Sequence, residues 1–352
     1  MPSCSHNESA PSAPDRLIQP AWVLANSEVC REHLRLVLRV EAFPESFPGQ
    51  FIHLSPDHQV VHDYQTFEWS PGARKQLDTW KGLCAAPLLR RAFSIAALRR
   101  AREGVHLDVI YRVVGKTTEW LASLSPGNAL SMLGPLGNRF PIVQHKSEAW
   151  MVAGGVGVPP MLWLSEALAA AGKRAVAFCG ARSKDLFPLS IDPQTSPSPQ
   201  TGEAGMACEE FARNGVPVVL STDDGSIGLA GHVGDALVSY HQANPVDPSD
   251  VVVYACGPER MLELVAGYST RQGMECYVCL ERTMACGTGA CQSCVVPLHA
   301  QDAPEGWRYH LCCTDGPVFE ANRVIWKLND GAQASADLDP RQPPPGGRGP
   351  AG

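Results

Sequence analysis

The chain of 352 residues lacks any apolar run long enough to cross a membrane. Its most apolar stretch, Ala149 to Leu164, is interrupted by Gly154, Gly155, Gly157, Pro159 and Pro160 and falls short of the ~20 residues a span needs. It also lacks a basic block. Against 29 basic residues stand 36 acidic ones, a net charge of −7, and basic and aromatic side chains do not interleave, so neither nucleic acid nor a membrane is an expected partner. Met1 to Arg16 is polar and rich in Ser and Pro, without the basic and apolar regions of a secretory signal, and the protein is expected in the cytoplasm. Thirteen cysteines, an odd count, do not describe a disulfide framework. In a reducing compartment they point to metal ligation plus buried thiols, and Cys4, Cys30, Cys84, Cys179 and Cys208 are scattered enough to be packing residues.

What is present falls into a multi-domain β plus α/β pattern. Residues 1–19 and 329–352 read as disordered tails, and 189–205, rich in Ser, Pro and Gly, as a flexible insertion. Over 20–145 the short apolar runs Leu34 to Val40, Gln50 to Leu54, Phe93 to Ala97, Val105 to Val114 and Ala129 to Leu133, separated by turn residues, predict an antiparallel sheet or barrel. Over 146–273 apolar runs alternate with helical stretches at 159–171, 206–213, 231–242 and 258–272, the mark of βαβ units on a parallel sheet. A cysteine-rich segment, 274–328, follows.

Cys286-Gly-Thr-Gly-Ala-Cys291-Gln-Ser-Cys294 separates three thiols by four and two residues, the plant-type [2Fe-2S] spacing. Gly287 and Gly289 supply the positive-φ freedom that so tight a curl needs. The competing zinc ribbon, Cys276 and Cys279 with Cys291 and Cys294, has eleven residues between its pairs, short of the usual ~15–20, and leaves Cys286 and Cys313 unexplained. By spacing, either Cys312 or Cys313 can be the fourth ligand.

Trp150-Met-Val-Ala-Gly154-Gly155-Val-Gly157-Val-Pro159-Pro160 runs a buried strand into a glycine turn and a helix start, where backbone amides can meet phosphate oxygens. Ala255-Cys256-Gly257-Pro258 and Thr222-Asp223-Asp224-Gly225-Ser226 end two more predicted strands on the same edge. Each is equally readable as a plain tight connection. Arg90-Arg91-Ala92-Phe93-Ser94 puts guanidinium, aromatic and hydroxyl groups on one strand, suited to a diphosphate and an isoalloxazine, or to solvent. Arg112-Val-Val-Gly115-Lys116-Thr117-Thr118 reads as a strand and turn, or as a second phosphate contact.

Together these pieces resemble the electron-transfer subunits of heterodimeric, NAD-linked dihydroorotate dehydrogenases, within the ferredoxin-NADP reductase superfamily. The resemblance spans about Pro20 to Lys327 and is most specific from Leu280 to Cys294 and at Cys313-Thr-Asp315-Gly316-Pro317. Tyr111 to Lys116 and Leu133 to Asn138 are also similar to family segments. It implies a flavin-binding β-barrel, a nicotinamide-binding α/β domain and a small [2Fe-2S] subdomain. It selects Cys313 as the fourth ligand beside Cys286, Cys291 and Cys294. FAD is implied at Arg91, Ala92, Phe93, Ser94, Ile110, Tyr111, Arg112, Thr117 and Thr118, and NAD(P) at Gly155, Gly157, Cys256, Gly257 and Pro258. Ala92 stands where the family has Pro, and Thr117 where it has Gly, a side chain that can crowd a close backbone approach. A hydride carries two electrons and a [2Fe-2S] centre accepts one, so a flavin between them is the converter. The resemblance further implies an FMN-containing catalytic subunit as partner, a heterotetramer, and a place in pyrimidine biosynthesis. Two other readings keep parts of the pattern: a flavin and [2Fe-2S] NAD(P)H reductase subunit serving a ferredoxin, a hydrogenase or another redox partner, and a zinc-binding regulatory module without enzymatic activity.

Overall fold

The computed structural model describes residues 16–56, 89–192 and 202–327. The expected C-terminal tail, most of the N-terminal one, the middle of the 189–205 insertion, Cys4 and Cys84 lie outside the described residues.

The first sheet is built from β1 (Leu17–Cys30), β2 (His33–Val40), β3 (Phe51–Pro56), β4 (Arg91–Ser94), β5 (Ala97–Ala101), β6 (Gly104–Arg112) and β7 (Ala129–Leu136). Every pairing is antiparallel, in the order β4-β3-β7-β1-β2-β6-β5, and the sheet curls until β4 lies against β6. Alternation drives it: Leu36, Leu38 and Val40 of β2 and Leu107 and Val109 of β6 turn inward onto Ile52 and Leu54. Three local readings change. β1 starts at Leu17, inside the stretch read as a tail, and pairs with Gly134 of β7. Only Ala21 and Val23 of its fourteen residues are buried, and two register shifts break the rest, so it carries no clean period. The run Phe93 to Ala97 is two strands split at the buried pair Ile95 and Ala96. Lys116-Thr117-Thr118 is neither strand nor turn but the first turn of a seven-residue helix, α1 (Lys116–Ala122), whose single buried Leu121 is too little to show a helical period.

The second sheet contains β8 (Glu148–Gly154), β9 (Arg174–Ala181), β10 (Val218–Thr222), β11 (Leu229–Ala230), β12 (Val251–Cys256), β13 (Glu275–Cys279) and β16 (Val318–Glu320). Its order is β11-β10-β9-β8-β12-β13-β16, parallel except for β16. β8 and β12 are buried at every position, as the centre of a parallel sheet covered on both faces requires. The covering helices are α2 (Val158–Ala170), α3 (Glu209–Ala212), α4 (Val233–Ala243) and α5 (Glu259–Arg271). α3 is shorter than the expected 206–213. α5 is amphipathic, burying Leu262, Val265, Ala266 and Ser269 at helical spacing. The ends of the insertion are pinned by bridges between Ile191 and Cys208 and between Gly205 and Val218.

The cysteine-rich segment is no free-standing module. It contributes β13 and β16 to the second sheet and adds a hairpin of β14 (Val295–His299) and β15 (Trp307–Leu311). A clamp fastens it to the barrel. Asn138, just past β7, donates from Nδ2 to the carbonyls of Asp315 (2.9 Å) and Val318 (2.8 Å) and accepts from the Val318 amide at 2.9 Å, while its own amide donates to Gly316. The neighbouring Gly137 has φ +76°, and a Cβ there would lie 2.6 Å from Pro317 Cδ, so only glycine lets the two strands of the clamp approach. Three side-chain hydrogen bonds at about 1 kcal/mol each predict that Asn138→Ala lowers stability by about 2–3 kcal/mol. Thermal unfolding followed at the tryptophans checks it.

Candidate functional site

Cys286, Cys291 and Cys294 lie on the loop between β13 and β14, and Cys313 follows β15. Gly287 at φ +72° and Gly289 at +86° bend the loop back on itself. The Cys286 sulfur accepts the amides of Thr288 and Cys291, both at 3.4 Å, and the Cys294 sulfur accepts the amide of Cys313 at 3.4 Å. Burial raises the Cys286 pKa, but the Cys291 and Thr288 amides outweigh it and bring the thiol down to about 6. The Ser293 hydroxyl, 3.2 Å away, lowers Cys291. Cys313 is pushed up to about 12 by burial first and by Cys294 second.

Among the described residues no three Cys, His, Asp or Glu side chains converge as on a single metal ion. The four cysteines instead form two pairs, Cys286 with Cys291 and Cys294 with Cys313, which is what two irons with two thiolates each call for. The amides aimed at sulfur fit a negatively charged thiolate centre. Cys312 points elsewhere: its thiol, raised by burial, donates to the Leu280 carbonyl at 3.2 Å. Cys276 and Cys279 pack into different cores on opposite faces of the second sheet, so the ribbon of Cys276, Cys279, Cys291 and Cys294 is not assembled.

On the barrel, β4 and β6 bring the flavin-type residues together, with the Phe93 and Tyr111 rings edge to face at 6.1 Å. Their roles differ. Arg91 is exposed and has no ion pair among the described residues, and Ser94 is half-buried opposite Phe51. Ala92 is exposed and pairs with His53 in β3. Ile110 is buried against the second sheet's core. Tyr111 turns into the barrel, donating to Asn26 Oδ1 at 3.2 Å, and burial pushes its hydroxyl up to about 12. Arg112 grips Glu32 at 2.8 and 2.6 Å, which holds that carboxyl below its usual range. The Thr118 hydroxyl closes the start of α1, accepting from Val114 and Gly115. Thr117 sits half-buried in the same turn with ordinary helical backbone, so no glycine-only conformation is lost there.

The nicotinamide-type residues meet between β8 and β12. The chain runs outward from β8 through β9 and β10 and then returns to place β12 on the other side of β8, the switch point where open parallel sheets bind ligands. The turns after both strands interlock. A Cβ on Gly157 would lie 2.0 Å from the Cys256 carbonyl oxygen, and one on Gly257 (φ +152°) would lie 2.8 Å from Met261 Cε. Gly155 has φ +53° with open space around it, and Pro258 caps α5. Asp223 and Asp224, at the end of β10, serve the turn: Asp223 meets His232 Nδ1 at 3.0 Å and Asp224 accepts from Ser226.

Two connections join these parts, and neither is visible as a motif. Arg282 holds Glu259, in the first turn of α5, through two contacts of 3.0 and 3.1 Å beside a cleft of about 310 Å³ lined by Gly257, Pro258, Leu280 and Thr283. Ser293 then ties the cluster loop to the Thr283 carbonyl at 3.2 Å. The second is His53, fully buried between β4 and the cluster loop. A histidine in the apolar run Gln50 to Leu54 reads as core, and only its unusual company marks it.

Residues 281–325 match the family described as the iron-sulfur cluster binding domain of dihydroorotate dehydrogenase B, and residues 151–267 match the oxidoreductase NAD-binding domain. The electron transfer subunit of dihydroorotate dehydrogenase B (NAD(+)) from Bacillus cereus (strain G9842) is 34% identical over 309 residues, 86% of this chain and 96% of that relative. Its counterpart in Bacillus mycoides (strain KBAB4) is 31% identical over 307 residues, again 86% and 96%. The chain belongs to this family of electron transfer subunits. Among solved structures, the NADH-dependent reduced ferredoxin-NADP oxidoreductase studied for flavin-based electron bifurcation shares the fold, with a TM-score of 0.64 at 23% identity over 87% of this chain and 90% of that one. A ferredoxin reductase of carbazole 1,9a-dioxygenase shares it at a TM-score of 0.53 and 17% identity, over 75% and 68%. No helix among the described residues is long and apolar enough to cross a membrane.

The interlocked glycines make a direct prediction for this subunit. In Gly157→Ala the added methyl meets backbone, which cannot swing aside, so the two turns must part. NADH affinity is expected to fall by about tenfold or more, roughly 1.4 kcal/mol, with iron content unchanged. A fluorescence titration with NADH checks it.

Proposed function

We propose that this chain carries electrons between NAD and a separate catalytic subunit that oxidises dihydroorotate to orotate. The family relationship supports the reading, and the observation that carries it is the placement of paired cysteines against the barrel that bears the flavin-type strand β4. Cys286, Cys291, Cys294 and Cys313 hold a [2Fe-2S] cluster. Arg91 to Ser94, Ile110 to Arg112, Thr117 and Thr118 form the FAD site, and Gly155, Gly157 and Cys256 to Pro258 the NAD(P) site. Bound there, a flavin converts the two-electron hydride of NAD(H) into the single electrons that a [2Fe-2S] centre accepts.

The chain's own residues do the holding. The Gly155 to Gly157 turn presents backbone amides and the positive end of α2 to a dinucleotide diphosphate, and Gly157 keeps that turn tight against Cys256. Arg91, exposed and without an ion pair among the described residues, would grip the flavin diphosphate. Arg112, engaged by Glu32, fixes the end of β6. The Thr288 and Cys291 amides stabilise negative charge on the Cys286 sulfur. Residues 20–145, 146–273 and 274–328 serve as the flavin, nicotinamide and cluster parts. The same reading includes a cytoplasmic location, an FMN-containing catalytic partner, assembly as a heterotetramer of two such pairs, and service in pyrimidine biosynthesis.

Two measurements test it. Purified together with the catalytic subunit, the chain should support NAD⁺ reduction that depends on dihydroorotate; no rate from a flavin- and iron-replete pair would contradict the assignment. Cys313→Ser should lose iron and the broad visible absorption of the cluster, whereas Cys312→Ser, whose thiol bonds to Leu280, should keep both.

A further inference from the structure

His53 has 0% of its surface exposed, and neither ring nitrogen has a hydrogen-bond partner among the described residues. Leaving a buried polar group unpaired is costly, so a native fold that keeps one generally has a use for it. The surroundings say which. Ile52 and Leu54, its neighbours in β3, point into the barrel core, while Phe51 and His53 share the opposite face. Phe51 packs in the core that contains Cys294, Cys312 and Cys313, and its ring lies 5.8 Å from that of His53.

The imidazole edge meets the cluster loop. A Cβ on Gly287, the residue after Cys286, would lie 2.9 Å from His53 Cε1 and 3.0 Å from Nε2, so this glycine is what lets the ring come so close. Burial first, then the Arg90 and Arg91 charges, lower the pKa of the ring to about 4. A neutral imidazole has one N–H to give and one nitrogen to accept.

We propose that His53 donates its ring N–H to a sulfur of the cluster held by the Cys286 loop, so that the barrel sets the potential of the cluster it faces. The proposal rests on the cluster assignment above. A hydrogen bond to cluster sulfur favours the more negative, reduced state and raises the reduction potential. Because His53 pairs across β3 and β4 with Ala92, at a flavin-type position, one residue would fix both the level of the electron acceptor and its spacing from the strand that carries the flavin.

The test uses the full holoprotein. With histidine labelled by ¹⁵N in the ring only, pulsed EPR of the reduced cluster should show a nitrogen coupling in the unaltered protein and none in His53→Leu. A potentiometric titration read by EPR should show the cluster of His53→Leu harder to reduce, with about a tenfold lower reduced-to-oxidised ratio at fixed potential, roughly 59 mV for one electron. His53→Gln, which keeps an N–H, should recover at least part of that shift. An unmoved midpoint in an iron-replete His53→Leu, or a shift confined to the flavin, would overturn the proposal. If His53→Leu assembles no cluster, the labelled unaltered protein decides, and the absence of a ring coupling overturns it. Iron and labile sulfide analysis of the unaltered protein separates the cases: no iron overturns the cluster assignment itself, whereas iron without a histidine coupling overturns this proposal alone.

Discussion

Asn138 and Gly137 grip the backbone from Asp315 to Val318, and the distance between the barrel's flavin-type strand β4 and the cysteine loop depends on that grip. Electron transfer needs its centres held at fixed spacing, and a barrel joined to a cysteine module by a flexible connection would not hold them. Here the same few residues do three things. They anchor the chain just beyond Cys313, they start β16, and through the Pro317 carbonyl they fix Leu280, where the cluster segment leaves β13. The module has no freedom to pivot about β13 because β16 returns beside it.

The nucleotide side is built on the same economy of space. Gly157 and Cys256 approach so closely that the two turns at the switch point behave as one surface, and Glu259 begins α5 from that surface. The Arg282 to Glu259 pair reaches from there to the cluster segment. With Glu259 half-exposed, such a pair adds at most about 1 kcal/mol to stability. Its value lies in orientation, since two parallel contacts fix Arg282 and, through Thr283 and Ser293, the entry to the cysteine loop.

The parts that could be read from sequence were those where one physical demand overrides all others. A curl around a cluster demands glycine at φ +72° and +86°, and an uncovered amide turn demands it at Gly155, so both motifs stand out in the chain. Buried parallel strands such as β8 and β12 announce themselves as apolar runs, Ala149 to Gly154 and Val251 to Cys256. Exposure hid the rest: β1 buries too little to alternate, and α1 is too short to show a period. The segments from Leu133 to Asn138 and from Asp315 to Pro317 were visible as family patterns, but that they clasp each other is a fact of three dimensions. The same holds for Tyr111 and Arg112, which sit on the expected strand yet spend their polar groups on Asn26 and Glu32, and for His53, whose apolar neighbours disguise it as core.

Anaerobic titration of the isolated subunit with NADH tests the whole arrangement most directly, with flavin absorption and the low-temperature EPR signal of the cluster followed together. If the nucleotide turn, the flavin strand and the Cys286 loop form one continuous path, NADH alone bleaches the flavin and also brings up the signal of a reduced [2Fe-2S] centre. Bleaching of the flavin with an iron-replete cluster left oxidised, at a potential where it should accept electrons, would contradict it.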